Sequence, residues 1–385
     1  MRARRAVFAV ALAGPAATAL AACFLFPSFD GVTRDYGRDA AATEGGAGDA
    51  IGTGCDADLA NDMHACGACG HDCFGGGCDG GRCQPIALAA GGGVPNDLAV
   101  DDAYAYWTAG TAVWQAALHG NPEAGPLVAD TANPTYVAVD DGYVVWTDNV
   151  CSQGTGTPCT VRARDKQTGV VVTLDPDAGS YPSGVAVGGA YVFWPVEQQN
   201  AVRSTPEDGG GVAIQLNLPS IVLAQAQNVV LAGSSVYVDV SNYGGSMGGI
   251  VQMPRVGGPP QAVRAALAGQ VPELFTPLAS NGTLIAWVGV DDAGVARSVT
   301  TQDVGSGLFS IVAPVTGTTP VALTMDLDHL YWVTAGAADA GAPAGTLVAA
   351  PLDGGPSTTL ATGIDVATSG YTRLGRLVSG SDSVF

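Results

Sequence analysis

Val100-Asp101-Asp102-Ala103-Tyr104-Ala105-Tyr106-Trp107-Thr108 returns as Val139-Asp140-Asp141-Gly142-Tyr143-Val144-Val145-Trp146-Thr147, and again as Val187-Gly188-Gly189-Ala190-Tyr191-Val192-Phe193-Trp194. Weaker copies run Ala232-Gly233-Ser234-Ser235-Val236-Tyr237, Ser280-Asn281-Gly282-Thr283-Leu284-Ile285-Ala286-Trp287 and Met325-Asp326-Leu327-Asp328-His329-Leu330-Tyr331-Trp332. In the clearest copies a short polar or glycine turn separates a small-residue strand, such as Leu98-Ala99-Val100, from an aromatic strand. Short strands repeating every roughly 40–50 residues mark an array in which each unit is one sheet.

Working outward, most units open on a proline turn: Pro95-Asn96-Asp97, Asn133-Pro134-Thr135, Tyr181-Pro182-Ser183, Val271-Pro272-Glu273 and Thr319-Pro320. A third strand reads like Gly345-Thr346-Leu347-Val348-Ala349-Ala350, and a fourth like Ser357-Thr358-Thr359-Leu360-Ala361. Four short strands per unit make a propeller blade, so the fold class is all-β, a β-propeller over residues 86–385. Six full units start near residues 95, 134, 182, 221, 272 and 320. A seventh begins at Tyr371, and its Ser381-Asp382-Ser383-Val384-Phe385 matches the turn and aromatic strand. Ile86-Ala87-Leu88-Ala89-Ala90 reads as a fourth strand without its first three. Pairing these two pieces would remove exposed sheet edges, so seven blades are favoured, the last a composite, with six as the alternative.

Composition agrees with a large all-β domain. Of 385 residues 47% are hydrophobic and only 13% charged, with 55 glycines and 23 prolines for tight turns. The formal charge of −20 becomes −23 once Arg2, Arg4 and Arg5 leave with residues 1–22. Such a surface repels phosphates and anionic lipids, which argues against a nucleic-acid partner.

The N-terminus reads as an address. Arg2, Arg4 and Arg5 form a basic region, Ala6 to Leu20 is apolar, and the run ends in Leu20-Ala21-Ala22-Cys23, the layout of a signal peptide over 1–22. This ending resembles a bacterial lipobox, in which the cysteine thiol is acylated and becomes the new N-terminus. The resemblance implies that Cys23 carries lipid and that the chain meets a membrane through that anchor. An uncleaved anchor, or an ordinary signal peptide with a chance cysteine, is the alternative. Phe24 follows where Asp would mark inner-membrane retention in Gram-negative lipoproteins, so the resemblance implies the outer membrane, facing the periplasm or the cell surface. Residues 23–54, rich in Gly, Ala, Asp and Thr, read as a flexible linker.

With Cys23 set aside, eight cysteines remain. Cys55, Cys66, Cys69, Cys73, Cys78 and Cys83 lie in a module over 55–85 with almost no large apolar residues, and Cys151 and Cys159 bracket a loop. An even number in an exported chain predicts disulfides, in any of the fifteen connectivities open to six cysteines. The alternative is zinc on Cys66, Cys69, His71 and Cys73, with His64 nearby, although the spacing is loose. The segment resembles short six-cysteine modules that precede propellers or stalks in secreted bacterial proteins, a resemblance that implies no activity.

The repeat itself resembles the YWTD type of propeller of lipoprotein-receptor ectodomains and bacterial proteins. Trp146-Thr147-Asp148 keeps the last three letters, and Tyr106-Trp107-Thr108 keeps the first three before Ala109. Trp194, Trp287 and Trp332 are followed by Pro195, Val288 and Val333. The family consists mostly of binding modules, which implies binding of a protein or small ligand here.

Candidate chemistry is sparse. Asp101-Asp102, Asp140-Asp141, Asp291-Asp292 and Asp326/Asp328 offer oxygen ligands for calcium, but their recurrence at one place in the repeat favours turn-making. No other cofactor is implied. Gly244-Gly245-Ser246-Met247-Gly248 matches a nucleophile elbow but lacks the strand-to-helix context. His119 and His329 are the only propeller histidines, and His329 sits at a turn. Trp107, Trp146, Trp194, Trp287 and Trp332 recur at one position and predict packing between blades, whereas Trp114 falls outside the register and reads as an exposed contact. The expected function is a cell-envelope lipoprotein whose propeller binds or scaffolds through long loops, Cys151–Cys159 and Tyr243–Gly249. The alternative is a propeller enzyme of lyase, lactonase or hydrolase type with a metal-dependent site at the central channel. The inner strands, mostly Ala, Val and Leu, disfavour it.

Overall fold

The computed structural model describes residues 58–365, apart from 68, 70–71, 74–75, 85–94, 119–123, 152–157, 180, 197–198, 200, 212–213, 218–223, 243–247, 264–270, 273–276, 291–296, 316–319 and 335–343. All regular structure among these residues is β-strand.

A hairpin of β1 (Cys78–Asp79) and β2 (Arg82–Cys83) closes the cysteine module. Disulfides join Cys66 to Cys78 and Cys73 to Cys83, with Cα atoms 5.6 and 5.2 Å apart. Cys69 is also disulfide-bonded, and Cys55 lies outside the described residues. The staples substitute for a core that this segment is too small and too polar to form. Its glycines allow backbone to pack on backbone: Gly67 has φ 72°, and a side chain there would run into the Gly81 carbonyl.

Six antiparallel sheets follow, five of them four-strand meanders and one with its inner strand in two pieces. The first holds β3 (Asp97–Val100), β4 (Tyr104–Ala109), β5 (Ala112–Ala117) and β6 (Gly125–Val128). The second holds β7 (Pro134–Val139), β8 (Tyr143–Asp148), β9 (Thr160–Asp165) and β10 (Val171–Asp175). The third holds β11 (Ala186–Gly188), β12 (Tyr191–Val196), β13 (Ala201–Pro206) and β14 (Ile214–Asn217). The fourth holds β15 (Ala224–Ala232), β16 (Ser235–Asn242), β17 (Gly248–Pro254) and β18 (Gln261–Val263). In the fifth the inner strand is split into β19 (Val271–Pro272) and β20 (Ala279–Ser280), which both pair with β21 (Leu284–Val290) ahead of β22 (Arg297–Asp303) and β23 (Phe309–Val315). The sixth holds β24 (Pro320–Met325), β25 (His329–Thr334), β26 (Ala344–Pro351) and β27 (Thr358–Asp365).

The second strand of each blade is buried on both sides, so it reads as a continuous apolar run rather than an alternation. Val144, Val145 and Trp146 of β8 are each fully buried. An apolar layer fills each of the five spaces between successive blades. The layer between the second and third joins Val145, Val161 and Ala163 to Val192, Trp194 and Val196. That between the third and fourth joins Phe193 and Val202 to Val238, Val251 and Met253. The face of the first blade turned away from the second (Trp107, Ala109, Ala116) and that of the sixth turned away from the fifth (Ala322, Tyr331, Val333) form separate clusters among the described residues.

The described residues thus form a β-propeller of six blades, the smaller of the two counts open to the repeat. The count of seven rested on 371–385 and 86–90, both outside the described residues.

Candidate functional site

The best-defined polar constellation lies at the end of the propeller where the first strand of each blade turns into the second. Asp101 Oδ1 accepts the amides of Ala103 and Tyr104, both at 2.8 Å. Asp140 does the same for Gly142 (3.0 Å) and Tyr143 (2.9 Å), and Asp326 for Asp328 (2.8 Å) and His329 (2.7 Å). In the fifth blade Asn281 takes that role for Thr283 (3.1 Å) and Leu284 (2.8 Å). The first carboxylate of each pair therefore makes the turn, by the side-chain-to-backbone bonding that favours Asp and Asn there. The second, Asp102 or Asp141, points to solvent. Asp291 and Asp292 lie outside the described residues. His329 belongs to the same turn architecture, while His119 and Gly244–Met247 lie outside the described residues.

A second repeated position sits on top of these turns. It is the residue just after the third strand: Lys166, Glu207, Arg255, Val304 and Leu352 in the second to sixth blades. Each backbone N–H donates to the first turn of its own blade, on Gly142, Ala190, Ser234, Thr283 and Asp328 respectively. In the second to fifth blades the side chain then meets the first turn of the preceding blade. Lys166 Nζ donates to Asp101 Oδ2 at 2.7 Å, and also to the Asp140 carbonyl at 2.8 Å. Tyr106 donates its hydroxyl to the same Asp101 oxygen at 2.9 Å. Burial opposes charge on Asp101, but bonds from Lys166, the two amides and Tyr106 outweigh it and hold the carboxyl below its usual range. Burial and Asp101 together push the Tyr106 hydroxyl well up.

Arg255 Nη1 reaches the Gly188 carbonyl at 3.4 Å, passing so close to Gly189 (φ 67°) that a Cβ there would lie 3.1 Å away. Val304 packs against Gly233, and Leu352 joins the apolar layer between the fifth and sixth blades. Glu207 is the exception, because the group it faces is Asp140. Burial first, then Asp140 and Asp208, push the Glu207 carboxyl up to about 7. Its Oε2 is buried with no donor beside it among the described residues. Two acceptors facing each other need a shared proton, which a protonated Glu207 supplies.

The opposite end carries the long loops. Cys151 and Cys159 are joined, with Cα atoms 4.8 Å apart, and Cys159 is fully buried in the layer between the second and third blades. Arg162 lies 5.4 Å from the Trp146 ring centroid and 3.6 Å from Asp148. Arg203 holds Asp175 at 3.3 Å and also donates to the Asp177 carbonyl. Asn96 and Asn149 each donate to a carbonyl of the next blade, on Pro134 and Pro182, both at 3.0 Å.

The tryptophan ladder is buried throughout and packs between strands, as its periodicity predicts. Trp114 corrects the expectation of an exposed contact. It pairs across the sheet with Trp107, and the two rings stack with centroids 6.2 Å apart. In the cysteine module His64 pairs with Asp72 at 2.7 Å, and that hydrogen bond raises its pKa. The sulfurs of Cys66, Cys73 and Cys83 lie within 4.8 Å of one another, but all three are committed to disulfides and offer no thiolate to zinc. His71 lies outside the described residues.

Sequence reasoning missed Lys166, Glu207 and Arg255. For Glu207 and Arg255 the signal was present: Pro206-Glu207-Asp208-Gly209-Gly210, Pro254-Arg255-Val256-Gly257-Gly258 and Pro351-Leu352-Asp353-Gly354-Gly355 repeat one proline-to-glycine turn whose second residue differs in every copy.

These observations define a disulfide-stapled β-propeller. No protein-family model matches the chain, and no curated protein matches it. Among solved structures it is similar to the GH74 enzyme of Niastella koreensis, with TM-score 0.51, 13% identity, 71% of this chain and 46% of that one covered. It is similar to the tricorn protease, with TM-score 0.50, 9% identity and 72% of this chain covered, but it spans only 32% of that chain. A nidogen/laminin complex gives TM-score 0.47 at 16% identity, over 71% of this chain and 97% of that one. At these identities the likeness is one of fold.

Proposed function

We propose that the chain is a cell-envelope lipoprotein, anchored in the outer membrane through Cys23, whose propeller binds a protein or small ligand at its long-loop end. A propeller serves both binding and enzymatic roles. The observation that favours binding is the use made of the buried carboxylates. Asp97 accepts the Val137 amide of the next blade at 2.9 Å, and Asp148 faces Arg162. Asp175 is held by Arg203, and Asp239 by Asn228 at 3.0 Å. Each of these acids serves the architecture of the blades. Calcium is not needed to explain the turn carboxylates, because backbone amides already occupy them. The Cys151–Cys159 bridge joins the two ends of the connection it spans, a constraint that lowers the ordering cost of binding there.

The test has two arms. Cys23→Ser should abolish incorporation of radiolabelled palmitate and move the chain from the membrane to the soluble fraction of cells. Cross-linking from a photoreactive residue placed at Thr155 should capture one discrete partner, and the yield should fall several-fold in Cys151→Ser/Cys159→Ser. Persistent palmitate in the first arm, or an unchanged cross-link in the second, would count against the anchor or the loop respectively.

A further inference from the structure

Ten large apolar side chains are exposed among the described residues, and six of them lie at the turn end of the propeller: Tyr104, Val170, Tyr191, Val256, Leu308 and Leu327. The other four are Leu59 and Met63 in the cysteine module and Ile311 and Leu360 on outermost strands. Tyr104 and Tyr191 begin the second strands of their blades, and Leu327 forms the first turn of the sixth. Val170, Val256 and Leu308 occupy the turn between third and fourth strands, which folds onto the same end. Val256 and Leu327 are 94% and 75% exposed, at turns where Asn or Ser would serve the backbone equally well.

The exposed charges on this end are all acidic, while Arg164 is half-buried and lies against Gly169. Asp102, Asp141, Asp208, Asp328 and Asp353 are exposed beside the apolar groups. Lys166 and Arg255 are turned inward, spent on Asp101 and on the carbonyls of Asp140 and Gly188. An end on which exposed apolar side chains, one on each blade, are interspersed with exposed carboxylates complements a partner that interleaves apolar side chains with cations. A second copy of the same face would be repelled, as would an anionic lipid surface.

We infer that the turn end of the propeller is a docking surface for a cationic, amphipathic segment of another protein. It is separate from the long-loop end and does not rest on the reading of that end.

The probe is a fluorescein-labelled synthetic peptide of lysine and leucine in an amphipathic helical pattern, titrated against the exported full-length chain by fluorescence anisotropy. A lysine–serine peptide of equal charge and a glutamate–leucine peptide serve as controls. The lysine–leucine peptide should bind best, and added salt should weaken it. Val256→Ser/Leu308→Ser/Leu327→Ser should weaken it by about tenfold or more while the thermal midpoint stays unchanged. Asp328→Asn/Asp353→Asn should weaken it and flatten its salt dependence. Equal binding by the triple-serine variant, equal binding by either control peptide, or no binding at low salt would overturn the assignment.

Discussion

Replacing Glu207 by Gln tests whether a shared proton holds the seam between the second and third blades. In the unfolded chain Glu207 titrates near 4.5, and in the folded protein burial and then Asp140 move it to about 7. Between these values the folded state binds more protons than the unfolded one. The stability this contact contributes is therefore complete below about pH 4.5 and is lost as pH rises to about 7. At about 1.4 kcal/mol per pKa unit the displacement sets a ceiling of about 3.5 kcal/mol. Screening at a turn that still touches solvent lowers the expected value to about 1–2 kcal/mol.

Gln cannot ionise, and its amide donates to the Asp140 carboxylate at any pH. Glu207→Gln and the native chain should thus be equally stable near pH 4, with the variant gaining about 1–2 kcal/mol by about pH 8. Urea denaturation followed by tryptophan fluorescence measures this, since the ladder tryptophans are all buried in the folded state. Only the difference between the two chains matters, because every other titrating group is common to both. A gap that stays constant from acid to alkali would refute the shared proton, as would a native chain more stable than the variant at about pH 8.

Two further perturbations probe the same repeated position. Lys166→Met leaves the half-buried Asp101 carboxylate without its cation and should cost about 1–2 kcal/mol at neutral pH. Because Asp101 titrates below its usual range in the folded protein, that cost should shrink as acid protonates it, a trend readable from urea midpoints across pH. Gly189→Ala adds a Cβ at φ 67° within 3.1 Å of Arg255 Nη1 and should cost about 1–2 kcal/mol, part of it recovered in an Arg255→Ala background by a double-mutant cycle.

What was legible in the sequence follows from what is local. A turn closed by Asp101 on the amides two and three residues ahead is written in consecutive residues, and so is the doubly buried strand around Trp146. Trp114 was misread because its surroundings depend on register. The tight turn at Gly110, with φ 57°, sets Trp114 directly opposite Trp107. Lys166 and Asp101 are 65 residues apart, and no spacing rule joins them until the first and second blades lie side by side. The cysteine connectivity was out of reach for a similar reason, since several pairings satisfy the same spacing. The blade count turned on fragments at the two ends of the repeat, where the pattern is least complete.

The position after the third strand shows how a repeat architecture tolerates one ill-matched contact. Each blade touches only its neighbours, so an ion pair at one seam, a glycine-lined guanidinium at another and a valine on glycine at a third can coexist without consequence beyond their own seam. The like-charged pair of Glu207 and Asp140 lies over the largest of the apolar layers, the one that contains Trp194 and Val196. At the far end of that same layer Cys159 is buried and bonded to Cys151. Repulsion on deprotonation is thereby confined to the turn end, because parting the two blades further would expose apolar area at roughly 25 cal/mol per Å². The few kcal/mol at stake between two carboxylates are soon exceeded by that cost. A pH-dependent change at this seam should therefore stop at the turns that carry Asp140 and Glu207 and leave the long-loop end in place.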